Sequence, residues 1–233
     1  TSLATVTFKD MAGNAINVDA SKVSVLLNGV PVTAAAKGNG VFEAIIPART
    51  TAETVEVTAK YDGEMATNKA SVSFVPVVNA AATTVTANPS IVNADGTSIA
   101  TGKVSFKDYA GNAIEVEAAK VELMLNGVAA VATAKGSGVY EVEIPARTVA
   151  EQVEVTAKYN GSLVSSKATV EFVPTLNLAT TTIVADPTTV NANGTSTSTA
   201  TITFRDYAGN PIAVETAKLD VKLNGVVTTF TAG

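Results

Sequence analysis

Between residues 98 and 173 the apolar side chains fall on every second position. In SIATGKVSFKD (98–108) Val104 and Phe106 share one face, and Lys103, Ser105 and Lys107 share the other. VELML (121–125) sends Val121, Leu123 and Leu125 inward and Glu122 and Met124 outward. VYEVEI (139–144) sets Tyr140, Val142 and Ile144 against Glu141 and Glu143. VEVTAKY (153–159) sets Val153, Val155, Ala157 and Tyr159 against Glu154, Thr156 and Lys158, and ATVEFV (168–173) buries Ala168, Val170 and Phe172. A period of two, in segments rich in Val, Ile, Thr and aromatics, predicts half-buried strands. No stretch holds a helical period long enough for a substantial helix. Between the strands stand LNGV (125–128), YNGS (159–162) and YDGE (61–64). Asn-Gly and Asp-Gly tolerate the positive φ that a tight hairpin turn demands.

The same pattern returns at a fixed interval. FKDMAGNAI (8–16), FKDYAGNAI (106–114) and FRDYAGNPI (204–212) begin 98 residues apart, as do KVSVLLNGV (22–30), KVELMLNGV (120–128) and KLDVKLNGV (218–226). Residues 1–77 align with 99–175 without a gap. Such periodicity marks a repeated structural unit, settled before any other reading. It predicts three domains: 1–77, a repeat lacking its N-terminal strand; 78–175, a complete repeat; and 176–233, a repeat lacking its C-terminal half. The complete unit carries about seven antiparallel strands, the count of an immunoglobulin-like β-sandwich. The fold class is therefore all-β, in tandem immunoglobulin-like sandwiches. The cut ends are expected either to be a window on a longer array or to be completed by strands of neighbouring molecules.

Composition narrows the chemistry. The 233 residues include no Cys, His or Trp, which removes disulfides, thiol chemistry, Cys/His metal sites and any His-based triad. The core must then be aliphatic. A net charge of −5 argues against a nucleic-acid or anionic-membrane partner, which needs clustered Lys and Arg. No run approaches the length of a membrane span, so no membrane insertion is expected in this segment.

Within the repeated phrase, Phe106 closes a strand, Asp108 can accept hydrogen bonds from the backbone after it, Gly111 and Asn112 supply permissive backbone, and Ile114 returns to the core. The phrase reads as a strand–turn–strand corner, with structural turn residues Asp10, Gly13 and Asn14, Asp108, Gly111 and Asn112, and Asp206, Gly209 and Asn210. ANGTSTSTATITFRDYAGNPI (192–212) resembles the opening of the bacterial immunoglobulin-like domains of the invasin/intimin group: an NG-T start, an alternating Thr-rich strand, then D-x-x-G-N-P. GSGVYEVEIPARTVAEQVEVTAKYNG (136–161) is similar to the G-x-Y strand and closing V-x-V-x-A strand of that group. Ala15 and Ala113 stand where the group usually has the proline kept here as Pro211. The resemblance implies a tandem module of a large bacterial surface protein, extracellular and non-enzymatic, whose stalk domains are spacers.

Other candidate chemistry has a plainer explanation. Asp95, Asp186 and Asn193 lie near the junctions, where calcium could stiffen a stalk. Calcium takes roughly six to eight oxygens from clustered carboxylates, and FVPVVNAAATT (74–84) and FVPTLNLATTT (172–182) contain none. Glu141 and Glu143 form a same-face pair, but the first copy has Ile45 at the second position; a solvated face is the better reading. KGNGV (37–41) lacks the following helix that a phosphate loop needs. Lys60 and Lys158 suit a Lys–Asn cross-link poorly, because alternation turns both outward and the last strand offers no Asn or Asp. Asn160-Gly-Ser162 and Asn193-Gly-Thr195 match glycosylation acceptors and read as turns. No catalytic residue, cofactor or metal site is expected.

The reading that follows is a semi-rigid stalk or spacer for adhesion, its partners being neighbouring repeats of the same chain. Junctions VPVVNAAA and VPTLNLAT are short and apolar, with Pro76 and Pro174 limiting bending. The alternative is a self-assembling S-layer or filament subunit, in which other copies of the chain pack through exposed Met124 and Leu26. A carbohydrate-binding module is the third class, weakened because nearly every aromatic falls on a core-facing position.

Overall fold

The computed structural model describes residues 2–232. Its chain divides into two compact units, residues 1–82 with 106–114, and residues 83–105 with 115–233.

The second unit contains the more complete sandwich. One sheet runs in the order Thr133–Gly136, Val139–Ile144, Ala100–Ser105, Thr84–Asn88, antiparallel throughout. The facing sheet runs Ile91–Ala94, Ala168–Pro174, Glu151–Tyr159, Val121–Leu125, Val128–Ala130, with Ser162–Leu163 hairpinned onto Glu151–Tyr159. The opening strand is split between the sheets. Thr84–Asn88 pairs with Ala100–Ser105 in one, and Ile91–Ala94 then runs parallel to Ala168–Pro174 in the other, from Ile91 opposite Glu171 to Ala94 opposite Pro174. That parallel pair is a local exception in an otherwise antiparallel fold, and it ties one strand to both layers. Between the layers Val104, Leu123, Ile144, Val153, Val155, Val170 and Phe172 are all but sealed from solvent. They are the inward set of the alternating pattern, and each buried Val or Leu of this kind contributes about 2 kcal/mol. The all-β, immunoglobulin-like sandwich is therefore what the chain forms.

The first unit repeats this plan. Ser2–Thr7, Val41–Ile46 and Ala34–Gly38 form one sheet, and Val30–Val32, Val23–Leu27, Glu53–Tyr61, Glu64–Met65 and Ala70–Phe74 the other. Val25, Leu27, Phe42, Ile46, Val55 and Val57 make its core. Phe8 packs at its margin, 5.8 Å edge-on to Phe42 and 5.7 Å from Tyr61. In residues 176–232 the strands are Thr182–Asp186 with Thr199–Thr203 and Lys222–Leu223 with Val226–Val227, where Ile183, Val184, Leu223 and Val226 are exposed. The Asn-Gly turns repeat one geometry: φ is +50° and +79° at Asn28 and Gly29, +49° and +78° at Asn126 and Gly127, and +51° and +81° at Asn224 and Gly225. Both central residues sit in the left-handed region that a type I′ turn requires.

Some side chains depart from the alternation. Met124 and Leu26, expected on the outer face and exposed, are 4% and 5% exposed. Period two fixes the direction of a side chain but not what lies over it. Beside Met124, Thr156 stands directly opposite, Glu122 closes on Lys158 at 3.6 Å, and Glu154 on Lys167 at 2.5 Å. Beside Leu26 stand Thr58, itself buried, and Glu56, which pairs with Lys69 at 2.7 Å. The aliphatic stems of such ion pairs cover apolar neighbours while their charges stay in water.

Candidate functional site

The repeated corner closes in the same way three times. In the first copy Asp10 Oδ1 accepts from the Asn14 backbone N–H at 2.9 Å, and the Asp10 N–H donates to the Asn14 carbonyl at 2.9 Å. The second copy shows 2.8 Å and 2.9 Å between Asp108 and Asn112, and the third 2.8 Å and 2.9 Å between Asp206 and Asn210. Gly13, Gly111 and Gly209 each donate an N–H to the carbonyl of the same aspartate. An aspartate that bonds the backbone after it holds a turn without help from the core. The bonds favour the charged carboxylate, and the Asn14 N–H, the largest cause, holds the Asp10 carboxyl below its ordinary value.

Two of the corners also receive another segment. Val78 forms an antiparallel bridge to Asp108, and the Asn79 N–H donates to the Lys107 carbonyl at 2.7 Å. Asn79 then turns the chain, its Oδ1 accepting from the Ala81 N–H at 3.1 Å and its carbonyl from the Ala82 N–H at 3.1 Å. Ninety-eight residues later the arrangement recurs. Leu176 bridges Asp206, the Asn177 N–H donates to the Arg205 carbonyl at 2.8 Å, and Asn177 Oδ1 accepts from the Ala179 N–H at 3.0 Å. Here Thr180 Oγ1 adds a bond to the Asp206 carbonyl at 3.4 Å, and Arg205 Nη1 donates to the Gly209 carbonyl at 2.7 Å. Asp108 and Asp206 are 5% and 6% exposed, whereas Asp10 is open to solvent. The corner is thus a turn that can also seat the segment leaving the preceding repeat. Sequence reasoning missed Asn79 and Asn177, although their recurrence at the repeat interval, between neighbours that change from Val78 and Ala80 to Leu176 and Leu178, was a signal.

The remaining candidates stay apart. Glu141 pairs with Lys135 at 3.3 Å while Glu143 is exposed. Asp95 accepts from the Thr97 and Ser98 N–H groups at 2.8 and 2.7 Å and from both hydroxyls. The Ser98 hydroxyl bond leads in pulling its carboxyl far below the usual range. Asn193 caps Thr195 and Ser196 in the same place at 3.0 and 2.8 Å. Lys158 meets Glu122. Among the described residues no three Asp or Glu side chains gather as a metal site would need, and no helix is long and apolar enough to cross a membrane, which says nothing of a β-barrel.

The family model for domain 3 of invasin matches residues 1–77 and again 79–175. The chain belongs to the invasin domain 3 family. It is a bacterial immunoglobulin-like repeat of the invasin/intimin type. Among solved structures it is similar to FdeC, an Escherichia coli adhesin, at 25% identity and a TM-score of 0.48, over 90% of this chain and 70% of that one. Invasin, a bacterial integrin-binding protein, gives 22% identity and a TM-score of 0.49 over 91% of this chain and 48% of its own. InvD of Yersinia pseudotuberculosis gives 16% and 0.44, over 87% and 63%. The invasin domain 3 chain described here therefore spans about half the length of the invasin structure and under two thirds of InvD. Sequence comparison with curated proteins gives no match.

Proposed function

We propose that this chain is a non-enzymatic spacer in the extracellular part of a bacterial surface adhesin, with repeats 1–77, 78–175 and 176–233 in series. The observation that supports it most is the recurrence of one backbone joint: Asn79 onto Lys107 and Asn177 onto Arg205, at 2.7 and 2.8 Å. A linker tied to the next corner by main-chain bonds behaves unlike a free Gly/Ser coil. Main-chain bonds also tolerate changing side chains, which suits a module copied many times. Family membership supports the adhesin setting, and a sequence without His or Cys supports a structural task over a catalytic one. The lattice alternative loses the two contact residues named for it, because Leu26 and Met124 are buried.

Replacing Asn79 and Asn177 by proline tests the joint. Proline removes the donated N–H yet suits the extended residue before it. Solution scattering from the 233-residue chain should give a narrow distance distribution, and the double variant a broader one. Identical profiles would remove the joint as the basis of a spacer. Sheets or filaments formed by the unmodified chain would overturn the reading in favour of assembly.

A further inference from the structure

Six Asn-Gly pairs occur in the chain, beginning at Asn28, Asn39, Asn126, Asn160, Asn193 and Asn224. An asparagine before glycine can lose its side-chain amide. The glycine nitrogen, deprotonated by hydroxide, attacks the asparagine Cγ, the Cγ–Nδ2 bond breaks, and ammonia departs with a proton from solvent. Water then opens the five-membered imide at either carbonyl, leaving an aspartate or its iso-linked isomer. The reaction needs no enzyme, only a side chain free to turn and a peptide free to move.

The six pairs differ in that freedom. Asn28 Oδ1 is held by the Glu56 N–H at 2.7 Å and Asn126 Oδ1 by the Glu154 N–H at 2.8 Å. Asn193 Oδ1 is held by the Thr195 and Ser196 N–H groups. Beside Asn39 the glycine is locked: Gly40 is buried, its carbonyl accepts from the Phe8 N–H at 2.9 Å, and a side chain there would meet the Ile16 carbonyl oxygen at 2.0 Å. The Asn160 and Asn224 side chains have no partner among the described residues, and of these two only Asn160 has an aspartate, Asp62, at its position in another copy. Asn160 sits exposed at a hairpin tip whose return strand, Ser162–Leu163, is two residues long. So short a return strand opens readily and lets Asn160 leave its positive φ of 50°.

We infer that Asn160 is a deamidation site, and that the aspartate product has a ready partner in Lys120. The first copy already shows the product's arrangement. Asp62 occupies the position of Asn160, and its Oδ2 lies 2.9 Å from Lys22 Nζ, the counterpart of Lys120. The backbones agree, with the Asp62 N–H donating to the Lys22 carbonyl at 3.0 Å and the Asn160 N–H to the Lys120 carbonyl at 2.8 Å. At present Lys120 turns to Glu117 at 2.7 Å, where the first copy has Asp19, which is engaged instead with Ser21. Deamidation therefore converts the second copy's hairpin to the charge pattern of the first, while the iso-linked product adds a main-chain carbon and breaks the turn.

The test incubates the whole chain in mildly alkaline, ammonia-free buffer and follows tryptic peptides by mass spectrometry. Peptide 159–167 carries Asn160 as its single asparagine. Its amide-to-acid conversion should run several-fold faster than that of the peptides holding Asn28 and Asn126. Equal or slower conversion overturns the site. The partner is tested separately: N160D should unfold at a midpoint no lower than the parent, and adding K120A should remove that parity. A lower midpoint for N160D alone, or no response to K120A, overturns the role of Lys120.

Discussion

The first and second copies show one design carried out in two settings. Their corners share the bonds between aspartate and asparagine, yet Asp10 lies open to solvent while Asp108 is sealed beneath the bridge from Val78. Their cores differ at one facing pair, where one strand loses a methyl and the other gains two carbons. Ala4 faces Ala44 in the first copy; in the second, Gly102 faces Val142 at the same register. A Cβ on Gly102 would lie 2.9 Å from a Val155 methyl and 3.0 Å from one of Val142. The corner difference teaches that the turn is local and the seat is not. The core difference teaches that a loss of volume on one strand is offset on the strand it faces, rather than each position keeping its residue.

The comparison breaks most visibly at the aspartates. Asp108→Ala strips acceptors from the Ala110 and Asn112 N–H groups in a place where water reaches poorly. Two unmet donors and the lost charged bonds should cost about 3 kcal/mol. Asp10→Ala removes the same turn bond where water can replace it, so its loss should be clearly smaller. Residue-resolved hydrogen exchange on the whole chain separates the copies. Equal losses at the two corners would show that the covering linker contributes nothing.

A smaller effect is expected in the core. Gly102→Ala should cost about 2 kcal/mol through overpacking. Combined with Val142→Ala it recreates the Ala4–Ala44 pair, so the double variant should be more stable than the sum of the single losses predicts. Coupling of this kind is expected for residues in contact. Simple additivity in the cycle would mean that the two copies reached their packing independently of this pair.

What could be read from sequence follows the range of the forces involved. Strand positions such as Val153, Val155 and Val170 were legible because alternation is a local pattern that burial enforces. The Asp-x-x-Gly-Asn spacing was legible as a turn for the same reason, since its bonds span four residues or fewer. The seating of Asn79 on Lys107 was not, because no neighbouring residue announces which distant carbonyl will accept the bond. Repetition at 98 residues was the one clue, shared by Asn79 and Asn177. Met124 and Leu26 differ from the expectation because alternation sets the direction of a side chain, while its exposure depends on neighbours that only cross-strand register brings beside it. The split of the opening strand between two sheets was also hidden, as both halves alternate alike.

The smallest expected effect concerns acid. The Asn14 N–H bond, opposed by desolvation and helped by the Asn14 side chain and the Ala12 and Gly13 N–H groups, lowers the Asp10 carboxyl from its ordinary 3.8. A carboxylate with a depressed folded pKa adds stability that is complete above the unfolded value and lost as pH falls through the folded one. The first corner should therefore keep its bonds down to about pH 4 and loosen below it. The Asn14 amide proton, followed by NMR, should titrate with a midpoint below 3.8, and Asp10→Asn should abolish the step while leaving the turn closed. Because Asp10 is exposed, little change in the stability of the whole chain should accompany it. A midpoint at or above the ordinary carboxylate value would mean that the corner bonds do not favour the charged form. The closure of the first corner would then rest on Gly13 and its backbone bonds rather than on the aspartate charge.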